Sequence, residues 1–323
     1  MTTLVLGGAT GFIGSAVMKQ LVSRDGNAAI GFVRTATAAK QFGRVGIATA
    51  IGDINESASL RVAMSQASTV ICCVSYVGDD EQQCIHVNQH GVQNVASMAA
   101  AVGVERLLYV STAAVYGPGP FRDLPVNGAP LSPFSPASRT RALAEKFVRD
   151  AGGLVVRPHL VYGPGDRWFL PTLTRIVSRL DSIIDGGSAV LSVVDVDLLA
   201  RSIYELSIEQ QFRYGSTLHV NEPVPRTVID LLEQHARETN WTLPQNSIPP
   251  RRRGESCCPA ESRHAPDRHD QPRSLVPVET VLMAHGSLSP KYLSPNLFSP
   301  LYCSASAINR TYFAVTTGEQ REL

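Results

Sequence analysis

A doubly wound α/β fold is the architecture this 323-residue chain predicts: a parallel sheet with helices on both faces and a smaller C-terminal lobe. Two observations carry that prediction. Through about residue 165, short apolar runs of strand character alternate with longer segments of helical period, as in successive β-α-β units. At the first junction the apolar run Leu4-Val5-Leu6 enters a glycine-rich turn, then an amphipathic stretch at 15–22.

Strand-like runs fall at 4–6, 29–33, 48–51, 70–74, 107–110 and 154–157, and helical period is clearest at 90–102 and 139–151. After Tyr162-Gly163-Pro164-Gly165 the alternation loosens. A helix is expected at 168–180, a short strand at 190–196 running into a helix at 197–207, then a strand at 218–220 and a helix at 228–238. The chain thus divides into a first domain (1–165), a lobe interleaved with its end (166–248) and an atypical tail (249–323). The tail opens near Arg251-Arg252-Arg253, is rich in Pro, His, Arg and Cys, and lacks an apolar period. It reads as a poorly ordered extension, or as translated sequence that has left its ancestral frame. Cys257, Cys258, His264 and His269 match no common zinc spacing, so no metal site is expected there.

A net charge of +1 with 18% charged residues argues against nucleic-acid or membrane-surface partners. No apolar run reaches the length of a membrane span. The first strand begins within a few residues of Met1, and the six cysteines form no disulfide framework; Cys72 and Cys73 sit in an apolar strand. A cytoplasmic protein is expected.

The turn Gly8-Ala9-Thr10-Gly11-Phe12-Ile13-Gly14 has the chemistry of a pyrophosphate cradle. Gly8 permits a tight turn, Gly11 lets the main chain approach phosphates, and Gly14 lets the next helix pack closely. A Rossmann-like dinucleotide-binding domain follows from that context. Ligands of such sheets bind at the carboxyl ends of the strands, which gathers Arg34, Asp53, Ser75, Ser111 and Pro158 around one crevice. At the end of the second strand stands Phe32-Val33-Arg34-Thr35, with no carboxylate to hold a ribose diol and repel a 2′-phosphate. NADP(H) is therefore favoured over NAD(H), with Arg34 on the phosphate; the alternative is a solvated surface arginine.

Taken together, the motifs resemble the extended short-chain dehydrogenase/reductase family, which includes nucleotide-sugar epimerases, dehydratases and 4-ketoreductases. The glycine turn, with Thr10, Phe12 and Ile13, is similar to its phosphate loop, and Gly52-Asp53-Ile54 to its adenine segment. Val87-Asn88-Gln89-His90-Gly91-Val92-Gln93-Asn94 resembles its helix with a structural Asn, here Asn88. Tyr109-Val110-Ser111-Thr112-Ala113-Ala114-Val115-Tyr116-Gly117 resembles the strand and turn bearing its catalytic hydroxyl, here Thr112. Arg157-Pro158-His159-Leu160-Val161-Tyr162-Gly163-Pro164-Gly165-Asp166 resembles the segment between nicotinamide and substrate, which adds Val161 to the cofactor side.

The resemblance covers roughly the first 240 residues and departs at one point. The family's Tyr-x-x-x-Lys pair is replaced by Ala137 and Arg141. Arg141 retains a positive charge toward the ribose, whereas Ala137 donates nothing. Thr112, a water or the phenol of Tyr116 then remain as proton sources, with packing as the other reading of Tyr116 and of Tyr162. Asp166-Arg167 reads as an anion contact or a structural turn, and Asp197 as a helix N-cap.

The resemblance implies an oxidoreductase or epimerase of a small-molecule carbonyl or nucleotide-sugar substrate. The alternatives are a non-catalytic dinucleotide-binding sensor or scaffold, or a damaged copy whose lobe no longer closes. Homodimerisation through 90–102 and 139–151 is a further family expectation.

Overall fold

The first strand, β1 (Thr3–Leu6), is buried along its whole length, as an unbroken apolar run requires of a central strand in a parallel sheet. The computed structural model describes residues 2–6, 10–25 and 29–249. After β1 come α1 (Phe12–Asp25), β2 (Ala29–Val33), α2 (Ala36–Gly43), β3 (Ala48–Ile51), α3 (Ser57–Met64) and β4 (Thr69–Cys72). Next are the short α4 (Glu81–Cys84), a π-helical stretch (Ile85–Gly91), α5 (Val92–Val102) and β5 (Arg106–Val110). A 3₁₀ turn (Ala113–Tyr116) leads towards α6 (Pro136–Asp150) and β6 (Leu154–Pro158).

The rest comprises β7 (Leu160–Tyr162), α7 (Phe169–Leu180), β8 (Ile183–Ile184), β9 (Val190–Leu191), β10 (Val193–Asp195) and α8 (Val196–Ile208). It ends with β11 (Thr217–Val220), β12 (Arg226–Thr227), α9 (Val228–Glu238) and β13 (Ser247–Ile248).

Among the described residues, seven strands form one sheet in the order β3-β2-β1-β4-β5-β6-β11, and every pairing is parallel. The order reverses between β1 and β4, where Leu6 lies opposite Cys72. One face packs Val5, Ile71, Leu108 and Val156 against α1 and α8. The other packs Leu4, Leu6, Val70 and Tyr109 against α3, α5 and α6. Each such aliphatic side chain contributes roughly 1.5–3 kcal/mol on burial. A third cluster, with Leu173, Val177, Leu231 and Leu232, joins α7 and α9 into the lobe.

Three local expectations change. The single strand expected at 190–196 is two, because β9 pairs antiparallel with β12 whereas β10 pairs parallel with β7, so the chain changes partner at Ser192. Asp197 is not the N-cap of its helix. β10 ends at Asp195, two residues earlier, and the Asp195 carboxylate accepts from the N–H groups of Asp197 (2.9 Å) and Leu198 (3.2 Å). The strand expected at 218–220, within the lobe stretch, is β11, the edge strand of the main sheet beside β6. The tail, including Arg251 and the Cys257, Cys258, His264 and His269 group, lies outside the described residues.

Candidate functional site

The crevice opens at the carboxyl ends of the strands, where the order reverses. α1 starts at Phe12, just beyond β1 and its turn, so its first N–H groups face that edge. Gly8 lies outside the described residues. Thr10 is exposed, Gly11, Phe12 and Ile13 are half-buried, and Gly14, in the first turn of α1, is buried. The loop after β7 lies over this start: a Cβ at Gly165 would sit 3.6 Å from the Phe12 ring.

On the β2–β3 side, Arg34 is exposed and makes no ion pair among the described residues. Thr35 beside it caps α2 by accepting from the Ala38 N–H. Asp53 is half-buried and accepts from the Asn55 N–H at 2.9 Å in a side-chain turn. Ile54 packs on Gly91 so tightly that a Cβ there would approach its Cδ1 to 2.2 Å. Ser75, past the end of β4, is exposed.

Asn88 is fully buried and acts as a clamp on the segment after β4. Its Oδ1 accepts from the Tyr76 N–H at 2.6 Å, and its Nδ2 donates to the Tyr76 carbonyl at 2.9 Å and to Thr140 Oγ1 at 3.3 Å. The π-helical stretch carries it inward.

At the end of β5 the two hydroxyls part company. Ser111 Oγ donates to Glu145 Oε1 at 2.6 Å, deep in the interior. Thr112 Oγ1 accepts from the Ala114 N–H at 3.2 Å, which caps the 3₁₀ turn. Its own O–H has no acceptor among the described residues, and the residue is buried. Gly117 ends the turn at φ +86, where a Cβ would lie 2.1 Å from the Ser132 carbonyl oxygen.

The Ala137–Arg141 segment is built for the helix start. Ser135 caps α6 in a reciprocal box with Ser138, and Pro136 opens the helix. Ala137 is buried in that first turn. Arg141 is also buried, and its Nη2 donates to the carbonyls of Val110 (3.0 Å) and Ser111 (2.6 Å). Its Nε–H is orphaned, and no carboxylate pairs with it among the described residues. A buried cation without a counter-anion, at the rim of a crevice, fits a site for an anionic dinucleotide. Pro158 ends β6 opposite Val220, and Val161 lies half-buried on β7 opposite Val194.

Sequence reading missed a network beside these residues. Glu145 pairs with Arg157, whose Nη1 donates to Tyr116 Oη at 2.7 Å; that hydroxyl lies 2.8 Å from His219 Nε2. The Arg157 guanidinium also stacks 4.9 Å from the Tyr116 ring centre. Burial lowers the Arg157 pKa, but the Glu145 pair overrides it and the net shift is upward. Burial first, then the charge of Arg157, pushes His219 down to about 4. Tyr116 and Arg157 lie in motifs read from the sequence, but nothing local links them to each other or to Glu145 and His219.

Tyr162 also does more than pack. It donates to Glu222 Oε1 at 2.7 Å, and burial followed by that carboxylate raises its pKa. Asp166 caps α7, accepting from the N–H groups of Trp168, Phe169 and Leu170. Cys72 is a core thiol pushed up to about 12 by burial. A cavity of about 510 Å³ is bordered by Arg149, Arg157 and, at the amino end of β11, Thr217.

The 3-beta hydroxysteroid dehydrogenase/isomerase family profile matches residues 4–204. The chain is 28% identical over 223 residues to the UDP-glucose 4-epimerase of Vibrio cholerae, covering 62% of this chain and 66% of that one. It is 27% identical over 206 residues to a 4-hydroxy-2-methyl-3-oxo-4-farnesyl-3,4-dihydroquinoline-1-oxide ketoreductase of Stigmatella aurantiaca, covering 61% of each. It therefore spans less than two-thirds of the length of these relatives. The fold is shared with the UDP-glucuronic acid 4-epimerase of Bacillus cereus in complex with NAD, at a TM-score of 0.62 and 18% identity, over 77% of this chain and 87% of that one. With the sheet order, the crevice and a profile match over most of the described chain, this protein belongs to the 3-beta hydroxysteroid dehydrogenase/isomerase family, within the extended short-chain dehydrogenase/reductases.

Proposed function

We propose that the chain is an NAD(P)-dependent oxidoreductase acting on the carbonyl or carbinol carbon of a small molecule, of nucleotide-sugar or ketone type, with NADP(H) preferred. The observation that carries the reading is the Thr112 hydroxyl hydrogen, without a protein acceptor at the carboxyl end of β5. The dinucleotide, when bound, supplies or takes up hydride. The chain's own residues hold and polarise. The α1 N-terminus meets the pyrophosphate, Arg34 the 2′-phosphate, and Thr112 donates to the substrate oxygen. Arg141 sets a fixed positive charge beneath them. Relatives named as an epimerase and a ketoreductase support this substrate class.

The test is turnover of a carbonyl probe with NADPH and with NADH. Thr112→Val is expected to lower kcat about 10²-fold, the scale of one lost transition-state donor, without changing dinucleotide affinity. Unchanged turnover in the variant contradicts the role.

A second reading, dinucleotide binding without chemistry, is favoured by two observations. Ala137 carries no proton donor and Arg141 is turned onto backbone carbonyls. Tight dinucleotide binding with no turnover of any carbonyl would select it.

A further inference from the structure

We propose that His219, resupplied by Tyr116, delivers the proton that Ala137 cannot, so that a tyrosine–histidine pair backed by Arg157 serves as the acid of this site. The proposal rests on the oxidoreductase reading above.

Hydrogen-bond accounting fixes the direction of the pair. The Tyr116 oxygen already accepts from Arg157 Nη1 at 2.7 Å, and the side chain is buried. If His219 Nε2 also donated, the phenolic hydrogen would be left buried and unpaired, at a cost of about 1–3 kcal/mol. Tyr116 therefore donates to a bare Nε2 across 2.8 Å, and the neutral ring carries its hydrogen on Nδ1. Nδ1 has no partner among the described residues, and His219 is half-buried.

The register places the pair at the correct edge. His219 lies opposite Arg157, one residue before the carboxyl end of β11, and β6 alone separates β11 from β5, which leads to Thr112. At about 4.8 Å per strand, that is roughly 10 Å from the Thr112 backbone, a gap the substrate and the imidazole ring share. Arg157, His159 and Glu145 are the titratable and charged groups that act on His219.

The step balances. As hydride reaches the carbonyl carbon, the C=O π pair moves onto oxygen. That oxygen takes the Nδ1 proton while Nε2 takes the Tyr116 proton, so the imidazole never becomes a cation. The resulting phenolate is held by Arg157, an arrangement of tyrosine and fixed cation, and water reprotonates it. A ring held neutral by burial and by Arg157 suits such a tautomer exchange.

Two measurements on the full chain test it. In ¹⁵N-histidine NMR at pH 7, His219 is expected as the neutral Nδ1–H tautomer, with an Nε2 signal that shifts in Tyr116→Phe. A protonated Nε2 overturns the relay whatever the activity. With 9,10-phenanthrenequinone and NADPH or NADH, Tyr116→Phe and His219→Gln should each lower kcat about 10²-fold. KM and dinucleotide affinity should stay unchanged, and the double variant should be no worse than the poorer single. Wild-type turnover matched by both folded variants overturns the proposal. A wild type that binds dinucleotide but reduces nothing overturns the oxidoreductase reading, and with it the use of the relay.

Discussion

Glu145 and Arg157 form a doubly hydrogen-bonded ion pair inside the protein: Arg157 Nε donates to Glu145 Oε1 at 2.9 Å and its Nη2 to Oε2, with the side chains 2% and 0% exposed. The pair joins α6 to β6 and also receives Ser111 Oγ and Arg149 Nη1. It sets the position of Tyr116 above it and of the β5 terminus beside it.

Removing one partner should therefore be costly. Glu145→Gln leaves the Arg157 charge buried with weakened partners, and a loss of about 3–5 kcal/mol is expected in urea unfolding. The double change Glu145→Leu with Arg157→Met should recover much of that loss, since no buried charge then remains unpaired. Equal stability of Glu145→Gln and wild type would show that the pair is not the strut described.

The pH dependence of folding has a definite sign. His219 is held at about 4 in the folded state, whereas an unfolded histidine titrates near 6.5. Between those values the unfolded chain binds more protons, so stability rises with pH. Its contribution is complete above about 6.5, is lost as pH falls towards 4, and amounts to ~2–3 kcal/mol at most after allowance for partial exposure. His219→Asn should flatten this part of a pH–stability curve measured by denaturant unfolding; an unchanged curve would contradict it.

Much of the fold was legible because strand runs and glycine turns are local signals. The runs at 29–33 and 48–51 coincide with β2 and β3, and the helix at 228–238 with α9. What the sequence hid depends on pairing at a distance. Leu218 gives no local sign that its strand will join Val156 at the sheet edge. Tyr116 and His219 are 103 positions apart, and the resemblance marks Asn88 as structural without showing that the Tyr76 backbone is what it holds. Ser111 and Thr112 are chemically alike in sequence; only the fold turns one to Glu145 and leaves the other's hydrogen free.

Asn88→Ala should loosen the segment it clamps. Three hydrogen bonds of a buried side chain are lost, two of them to the Tyr76 backbone, and about 1–3 kcal/mol of stability should go with them. Amide hydrogen exchange should quicken around Tyr76 while β1 and β5 stay protected. Unaltered exchange there would show the clamp to be dispensable.

Arg34→Ala addresses cofactor choice. A charge-assisted contact to a 2′-phosphate is worth about 1.5–3 kcal/mol, so NADPH affinity should fall roughly tenfold or more while NADH affinity holds. Parallel losses for both dinucleotides would remove Arg34 from the phosphate.

A dinucleotide seated where the sheet order reverses underlies all the chemistry proposed, and calorimetric titration of the wild-type chain tests that seat most directly. Binding of both NADPH and NADH, with NADPH the tighter, is the predicted result. Absence of heat with either would contradict the crevice as a dinucleotide site and remove the basis for the chemistry proposed at Thr112 and His219.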